Sequence, residues 1–281
     1  MPASYRICLA WPENNPHAAC FREIGLLLVS TLKSLGCTCD LALNQLDPNR
    51  INIILGYHLF RFEESFKNSR YIPYQFEQLD SREFPFNSNM ESILKHAVET
   101  WDYSTKNMAF LNRRGIHAKL LLPGYHRNLE LIKRSPLPNR EIDILFYGSI
   151  GERRKHILDE LSRHCTVKVL FGVYGEKRDD WIGKSKIILN VHHYSQQLFE
   201  AVRVSYLLNN GCVVISEDSD DYCYDKVGLT RVPYESIVDT CLNFLKDAPG
   251  MESTAEQNYR EFKTHYAMTD LVKPVLMGDT L

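Results

Sequence analysis

Between residues 190 and 217 the sequence gathers side chains that could handle a phosphorylated ligand. Asn190 lies near the end of the apolar run "KIILNV". His192 and His193 follow, then Glu200 and Arg203, and Glu217 closes the next apolar run, "CVVISE". An imidazole or a guanidinium can meet phosphate charge, and a carboxylate can accept from ribose hydroxyls. Neighbours on extended chain point to opposite sides, so the two histidines do not share one metal. One suits a phosphate, the other a backbone hydrogen bond. Glu200 and Arg203 are three apart on a helical pattern and share a face. That spacing also fits an exposed ion pair. Asp218 and Asp220, just beyond, read as capping or solvated groups rather than magnesium ligands.

Two further turns have the same placement. "DILFY" runs into "GSIGERRK", where Gly148 and Gly151 permit close backbone approach and a helix opens near Glu152. With Ser149, Arg153, Arg154 and Lys155 this suits a diphosphate at a helix N-terminus. A tight turn with a solvated basic helix face fits equally. "KVLF" runs into "GVYGE", where Gly172, Val173 and Tyr174 could hold a nucleobase by stacking and main-chain hydrogen bonds, or form a packed glycine turn.

The elements that must position these groups alternate. Short apolar runs lie at 5–10, 38–43, 51–55, 70–75 and 118–122, with helical patterns over 18–35, 90–98 and 104–114. The second half repeats the scheme, with strands in "DILFYG", "TVKVLFG", "KIILNV" and "CVVISE". Its helices are expected over 152–163, 195–210, 236–245 and 253–265. Such alternation predicts α/β architecture with mainly parallel sheets. The proline-containing stretch "KRSPLPNRE" reads as a linker. It divides the chain into domains 1–135 and 136–281, with the last helix free to cross back.

Composition narrows the partners. A formal net charge of −2 supplies no overall field for nucleic acid or an anionic membrane. No secretory signal pattern opens the sequence, and no apolar run reaches the roughly 20 residues that span a bilayer. The eight cysteines are scattered and complete no zinc pattern. They read as reduced thiols of a cytoplasmic protein.

The segment 143–217, through "DILFYGSIGERR", "VLFGVYG", "ILNVHHY" and "LFEAVRVSYLLNNGCVVISE", resembles the donor-binding half of a GT-B-fold glycosyltransferase. "INIILGYHL", "YQFEQL" and "ETWDYSTKN" upstream resemble small glycosyltransferase-family-1-like proteins. The resemblance implies two Rossmann-like domains facing a cleft, with a nucleoside-diphosphate sugar on the second and an acceptor on the first. It implies diphosphate contacts for Ser149, Arg153 or Arg154, and Arg203. Base contacts fall near Val173 and Tyr174, and Glu200 meets ribose or sugar. Gly148, Gly172, Asn190, His192, His193 and Glu217 complete the expected donor set. The paired glutamates of the retaining enzymes are not reproduced, since Glu200 stands alone. The family chemistry needs no metal and no cofactor beyond the donor itself. Its base is expected from the first domain, where Glu77 and His58 lead His17 and Asp102. A glycan or lipid-linked acceptor is expected ahead of nucleic acid. The alternatives are a non-catalytic nucleotide-sugar-binding protein and a nucleotide-sugar epimerase.

Overall fold

The computed structural model describes residues 3–13, 15–80, 86–193 and 198–277. They divide into two units. Unit 1 is Met1–Asn128 with Met268–Leu281, and unit 2 is Leu129–Ala267.

Unit 1 carries β1 (Ser4–Leu9), α1 (Arg22–Ser34), β2 (Thr38–Leu43), β3 (Ile51–Leu55), α2 (Glu64–Lys67) and β4 (Arg70–Gln75). After these come α3 (Ser88–His96), β5 (Trp101–Asp102), α4 (Thr105–Asn112) and β6 (Lys119–Leu120). Its sheet runs β2-β1-β3-β4-β5-β6, parallel throughout. Ile24, Leu27, Leu28 and Thr31 repeat at helical spacing and form the buried stripe of α1. The final helix of the chain, Met268–Met277, packs on α1 in this unit.

Unit 2 carries β7 (Ile142–Tyr147), α5 (Glu152–Ser162), β8 (Val167–Leu170), α6 (Gly175–Gly183), β9 (Ser185–Asn190) and α7 (Ala201–Asn209). β10 (Val214–Glu217), β11 (Thr230–Val232), α8 (Ile237–Lys246) and α9 (Ala248–His265) complete it. Its parallel sheet runs β11-β10-β9-β7-β8. Ile144, Phe146, Ile187, Leu189 and Ile215 on the strands pack with Ile157, Leu161 and Cys241 on helices into one core. Strands buried on both faces need no polar alternation, which is why their sequences read as unbroken apolar runs.

The α/β reading and the parallel sheets hold. Several details differ from expectation. β5, β11, α2 and α6 were not foreseen, and a further helix, Met268–Met277, follows the one expected over 253–265. The helix expected over 195–210 starts at Ala201, with Leu198–Glu200 outside it; 194–197 lie outside the described residues. No disulfide forms among the described residues, and none of their helices is long and apolar enough to cross a membrane.

Candidate functional site

In each sheet the strand order reverses at one place, between β1 and β3 in unit 1 and between β7 and β9 in unit 2. The loops beyond the carboxyl ends of strands at such a point diverge and leave room for a ligand. In unit 2 the register pairs Ile144 with Ile187 and Leu145 with Ile188, which brings Tyr147 level with Asn190. The residues singled out in the sequence therefore meet.

Asn190 is fully buried and joins the ends of β9 and β10 to the start of α7. Its Nδ2 donates to Glu200 Oε2 and to Ser216 Oγ, each at 3.0 Å, and its Oδ1 accepts from Arg203 Nη1 at 2.9 Å. Glu200 Oε2 also lies 2.9 Å from His192 Nδ1. This contact is a short ion pair rather than an aligned hydrogen bond. His192 Nε2 faces the Asp218 carbonyl at 3.0 Å, so both ring nitrogens confront acceptors, an arrangement that favours the protonated ring. Burial pushes the His192 pKa down, but the Glu200 carboxylate outweighs it and the net shift is upward. Burial likewise pushes Glu200 up, yet the contact and charge of His192, with Arg203 and the Asn190 amide, hold it at about 2.

The three arginines of this region differ. Arg153 makes a bidentate pair with Glu217, at 3.0 and 2.6 Å, and lies over the Tyr234 ring. Glu217 is itself buried and also accepts from the His192 backbone N–H at 3.0 Å. Arg154 is buried, donates to the carbonyls of Val191 and Ser149 at 2.8 and 2.9 Å, and reaches Glu200 Oε1 at 3.5 Å. These two guanidiniums tie loops together. Arg203 alone of the three makes no ion pair among the described residues. Its guanidinium lies 5.1 Å from the Tyr147 ring centre and against Gly148. Gly148 has φ +134, and a Cβ there would sit 2.8 Å from Arg203 Nη2. Glycine is what lets the guanidinium close on the backbone at the end of β7.

The remaining residues of the expected donor set lie in the loops after β7, β8 and β9. Gly151 is the N-cap of α5, and no side chain caps that helix. Ser149 is exposed beside it. His192 and His193 do point apart. His193 is exposed, and a Cβ on Gly151 would lie 3.6 Å from its Cε1, which puts the ring by the N-terminus of α5. Gly172, at φ +68, Val173 and Tyr174 lead into α6, with Phe171 60% exposed before them.

Two contributors escaped the sequence reading. Tyr147 has two guanidiniums near its ring, that of Arg203 and that of Arg178, whose guanidinium carbon is 5.6 Å from the same ring centre. Arg178 is fixed by Asp179, which accepts from Tyr206 Oη at 2.7 Å. The position of Tyr147 as the last strand residue before Gly148 was the available signal.

In unit 1, Glu77 follows β4 and His58 follows β3. Glu77 Oε1 and His58 Nε2 are 3.6 Å apart. Burial raises the Glu77 carboxyl to about 7 and lowers His58 to about 4. Near neutral pH the imidazole is therefore neutral and the carboxyl is poised to exchange a proton. The Glu77 backbone is clamped: its N–H donates to Gln75 Oε1 at 2.8 Å and its carbonyl accepts from Asn107 Nδ2 at 2.8 Å. Asp102 is fully buried and accepts from Ser104 N at 2.8 Å and Asn107 Nδ2 at 3.2 Å, so it supports that clamp from behind. His17 is itself exposed in the turn Pro16–Phe21, its N–H on Asn15 Oδ1, while Phe21 at the end of that turn is buried and meets the His58 ring edge-on at 6.3 Å. Among the described residues no three His, Cys, Asp or Glu side chains form a metal-binding group.

Comparison with known proteins now bears on this arrangement. Three solved structures match the chain over nearly their full length. An α-glucosyltransferase bound to UDP and a 13-mer DNA superposes with TM-score 0.68 at 10% identity, covering 100% of both chains. Sucrose-phosphate synthase from Thermosynechococcus elongatus gives 0.62 at 12% identity, covering 98% of this chain and 97% of that one. AviGT4, a glycosyltransferase of avilamycin A biosynthesis, gives 0.61 at 12% identity, covering 98% and 96%. The fold is GT-B. No family model matches the sequence. Uncharacterized protein L140 of Acanthamoeba polyphaga mimivirus is 30% identical over 171 residues, 56% of this chain and 54% of that protein. Protein L137 of the same virus is 25% identical over 258 residues, 86% of this chain but 34% of that protein. The GT-B chain thus spans about half or less of these relatives.

Proposed function

We propose that this chain is a glycosyltransferase that moves a sugar from a nucleoside diphosphate to an acceptor hydroxyl. The observation that carries the reading is Arg203, whose guanidinium makes no ion pair among the described residues and is held against Gly148 where the unit 2 sheet reverses. The uncapped N-terminus of α5 lies beside the same loop. Both favour a diphosphate. Structural neighbours have been solved with UDP-glucose and with GDP-fucose, which supports a donor of this class.

In the proposed reaction the acceptor oxygen forms a bond to the anomeric carbon. The bond from that carbon to the diphosphate oxygen breaks, and the nucleoside diphosphate leaves with the electron pair. Arg203 and the α5 N-terminus stabilise the charge it gains, and the reading draws on these groups rather than on a divalent ion. Glu77 is the proposed acceptor of the hydroxyl proton, with neutral His58 beside it. The proposed acceptor is a glycan or lipid-linked glycan. Two solved structural neighbours are bound to DNA, but a net charge of −2 gives this chain no general attraction for a polyanion.

Calorimetry with UDP, GDP and TDP tests the donor site. Arg203→Ala should weaken the nucleotide that binds by about 1–3 kcal/mol, the scale of a lost charged hydrogen bond. Unchanged affinity removes the assignment. Incubation with UDP-, GDP- and TDP-sugars then separates activities. Release of free nucleotide supports transfer, an altered sugar supports an epimerase, and binding without turnover supports a sensor.

A further inference from the structure

Asp102 ends β5, an interior strand of the unit 1 sheet, where it pairs with Gln75 on one side and Leu120 on the other. Thr100, Trp101, Asp102, Tyr103 and Ser104 are all buried, and Asp102 completely so. No lysine, arginine or histidine among the described residues pairs with its carboxyl.

Hydrogen bonding distinguishes its two oxygens. Oδ1 accepts from Ser104 N at 2.8 Å and from Asn107 Nδ2 at 3.2 Å. The Asn107 amide faces only one way, because its own Oδ1 accepts from Leu79 N at 3.2 Å while its Nδ2 also serves the Glu77 carbonyl at 2.8 Å. Asp102 Oδ1 is therefore an acceptor twice over and carries no proton. Asp102 Oδ2 is buried with no hydrogen-bond partner among the described residues. Helix α4 begins nearby, but its Asn107 N–H goes to Ser104 Oγ at 3.3 Å, so Asp102 does not cap it.

An ionised carboxyl here would leave a desolvated charge on Oδ2 with nothing to answer it, which buried groups avoid by taking up a proton. Burial accordingly holds Asp102 well above the usual carboxylate range, against the opposing pull of donors on Ser104, Asn107, Gln75 and Tyr103. The other titratable groups around it come from the loops after β3 and β4. Tyr57 Oη is buried, likewise has no hydrogen-bond partner among the described residues, and lies within electrostatic reach of both Asp102 and Glu77. A phenol hydroxyl can accept from an acid as well as donate. The last is Glu77 itself, with neutral His58 beside it.

We propose that Asp102 is a neutral carboxylic acid with its proton on Oδ2, and that in this form it positions Glu77 through Asn107. The positioning role rests on the glycosyltransferase reading above; the protonation does not. An acid that keeps its proton cannot take another, so Asp102 is not the base. Its neutrality also spares Glu77 a second negative charge close by, which would oppose ionisation of the base.

Infrared spectroscopy tests the protonation directly. In Glu77→Gln, which removes the neighbouring carboxyl, a carboxylic-acid C=O stretch should persist above neutral pH. It should vanish in Glu77→Gln/Asp102→Asn. No such band, or a band that both proteins share, overturns the proposal. Turnover tests the positioning. Asp102→Asn keeps the Oδ1 acceptor and sets an amide where the acid O–H stood, so the climb of turnover with pH should stay where it is in the parent. A climb moved to lower pH would mean that Asp102 had been ionised. Asp102→Ala leaves Asn107 unsupported, and kcat should fall about tenfold or more with nucleotide affinity as in the parent. Asn107→Ala cuts the link from the other side, should do the same, and serves if Asp102→Ala does not fold. Parent kcat in these variants overturns the positioning role. Absence of turnover in the parent is instead a failure of the glycosyltransferase reading, and the infrared result stands apart from it.

Discussion

Arg203 Nη1 donates to Asn190 Oδ1 at 2.9 Å, and the Asn190 amide has only one orientation that can receive it. Ser216 Oγ donates its single proton to the Glu217 carbonyl at 2.8 Å, so towards Asn190 it can only accept. The Glu200 carboxylate, held ionised, also only accepts. Both acceptors require the NH₂ side of the amide, which turns Oδ1 to the guanidinium. Asn190 is too deeply buried to touch a ligand. Its part in the proposed site is to aim Arg203.

Asn190→Ala should therefore weaken nucleotide binding by about 1–2 kcal/mol, and Arg203→Ala by a similar amount. If Asn190 acts through Arg203, the double variant should lose about 1 kcal/mol less than the two single losses combined. Calorimetry on the four proteins measures this. Additive losses would separate Asn190 from Arg203 and leave it a core residue.

Gly148 is the second control on the same guanidinium. An alanine there must adopt a φ of +134 that suits glycine, and its Cβ would meet Arg203 Nη2 at 2.8 Å. Gly148→Ala should cost about 1–3 kcal/mol of stability from backbone strain alone. Nucleotide affinity should fall together with it as Arg203 is displaced. A thermal shift and a titration on one preparation report both, and a variant that melts and binds like the parent contradicts the described packing.

The Glu77 carboxyl gives the pH dependence of the proposed transfer. Its pKa is raised to about 7 by burial, and a base works only when ionised, so turnover should climb as pH rises through about 7. His58, lowered to about 4, stays neutral over that range and adds no limb of its own. Glu77→Gln should reduce kcat by roughly 10²–10⁴-fold, with donor affinity kept and the climb abolished. A variant that retains the climb would assign the proton to another group.

How much of this was legible in the sequence depends on distance along the chain. The apolar runs that became β1, β3, β4, β7 and β9 were plain, and so were the polar residues immediately after them. Parallel strands place such residues together, which is why Gly148, Asn190, Glu200 and Arg203 meet as their positions suggested. Partners set by the far side of the fold were not legible. Nothing local shows that Arg153 is held by Glu217, or that Arg154 is turned inward onto Val191. β5 has two residues and β11 three, too few for a periodic signal. α6, "GEKRDDWIG", has only two large apolar residues, and its buried Arg178 and Asp179 are satisfied by each other and by Tyr206. The last helix carries Pro274 in its interior, a residue that ordinarily argues against a helix.

The His192–Glu200 pair should write a pH window into the stability of unit 2. Glu200 is held at about 2 against an ordinary 4.5, so its contribution is complete above about 4.5 and is lost as pH falls towards 2. His192 is raised above its ordinary 6.5, so its contribution is complete below 6.5 and is lost as pH rises through the raised value. The two overlap between about 4.5 and 6.5, where the pair stabilises most. Glu200→Gln removes the charge on which both shifts depend. Melting temperatures of parent and variant, taken across roughly pH 3 to 8, should differ most inside that window, differ less above it as His192 loses its proton, and converge as pH falls towards the lower end. A difference that stays constant across the range would mean that Glu200 stabilises the fold by packing and hydrogen bonding alone, with His192 neutral beside it.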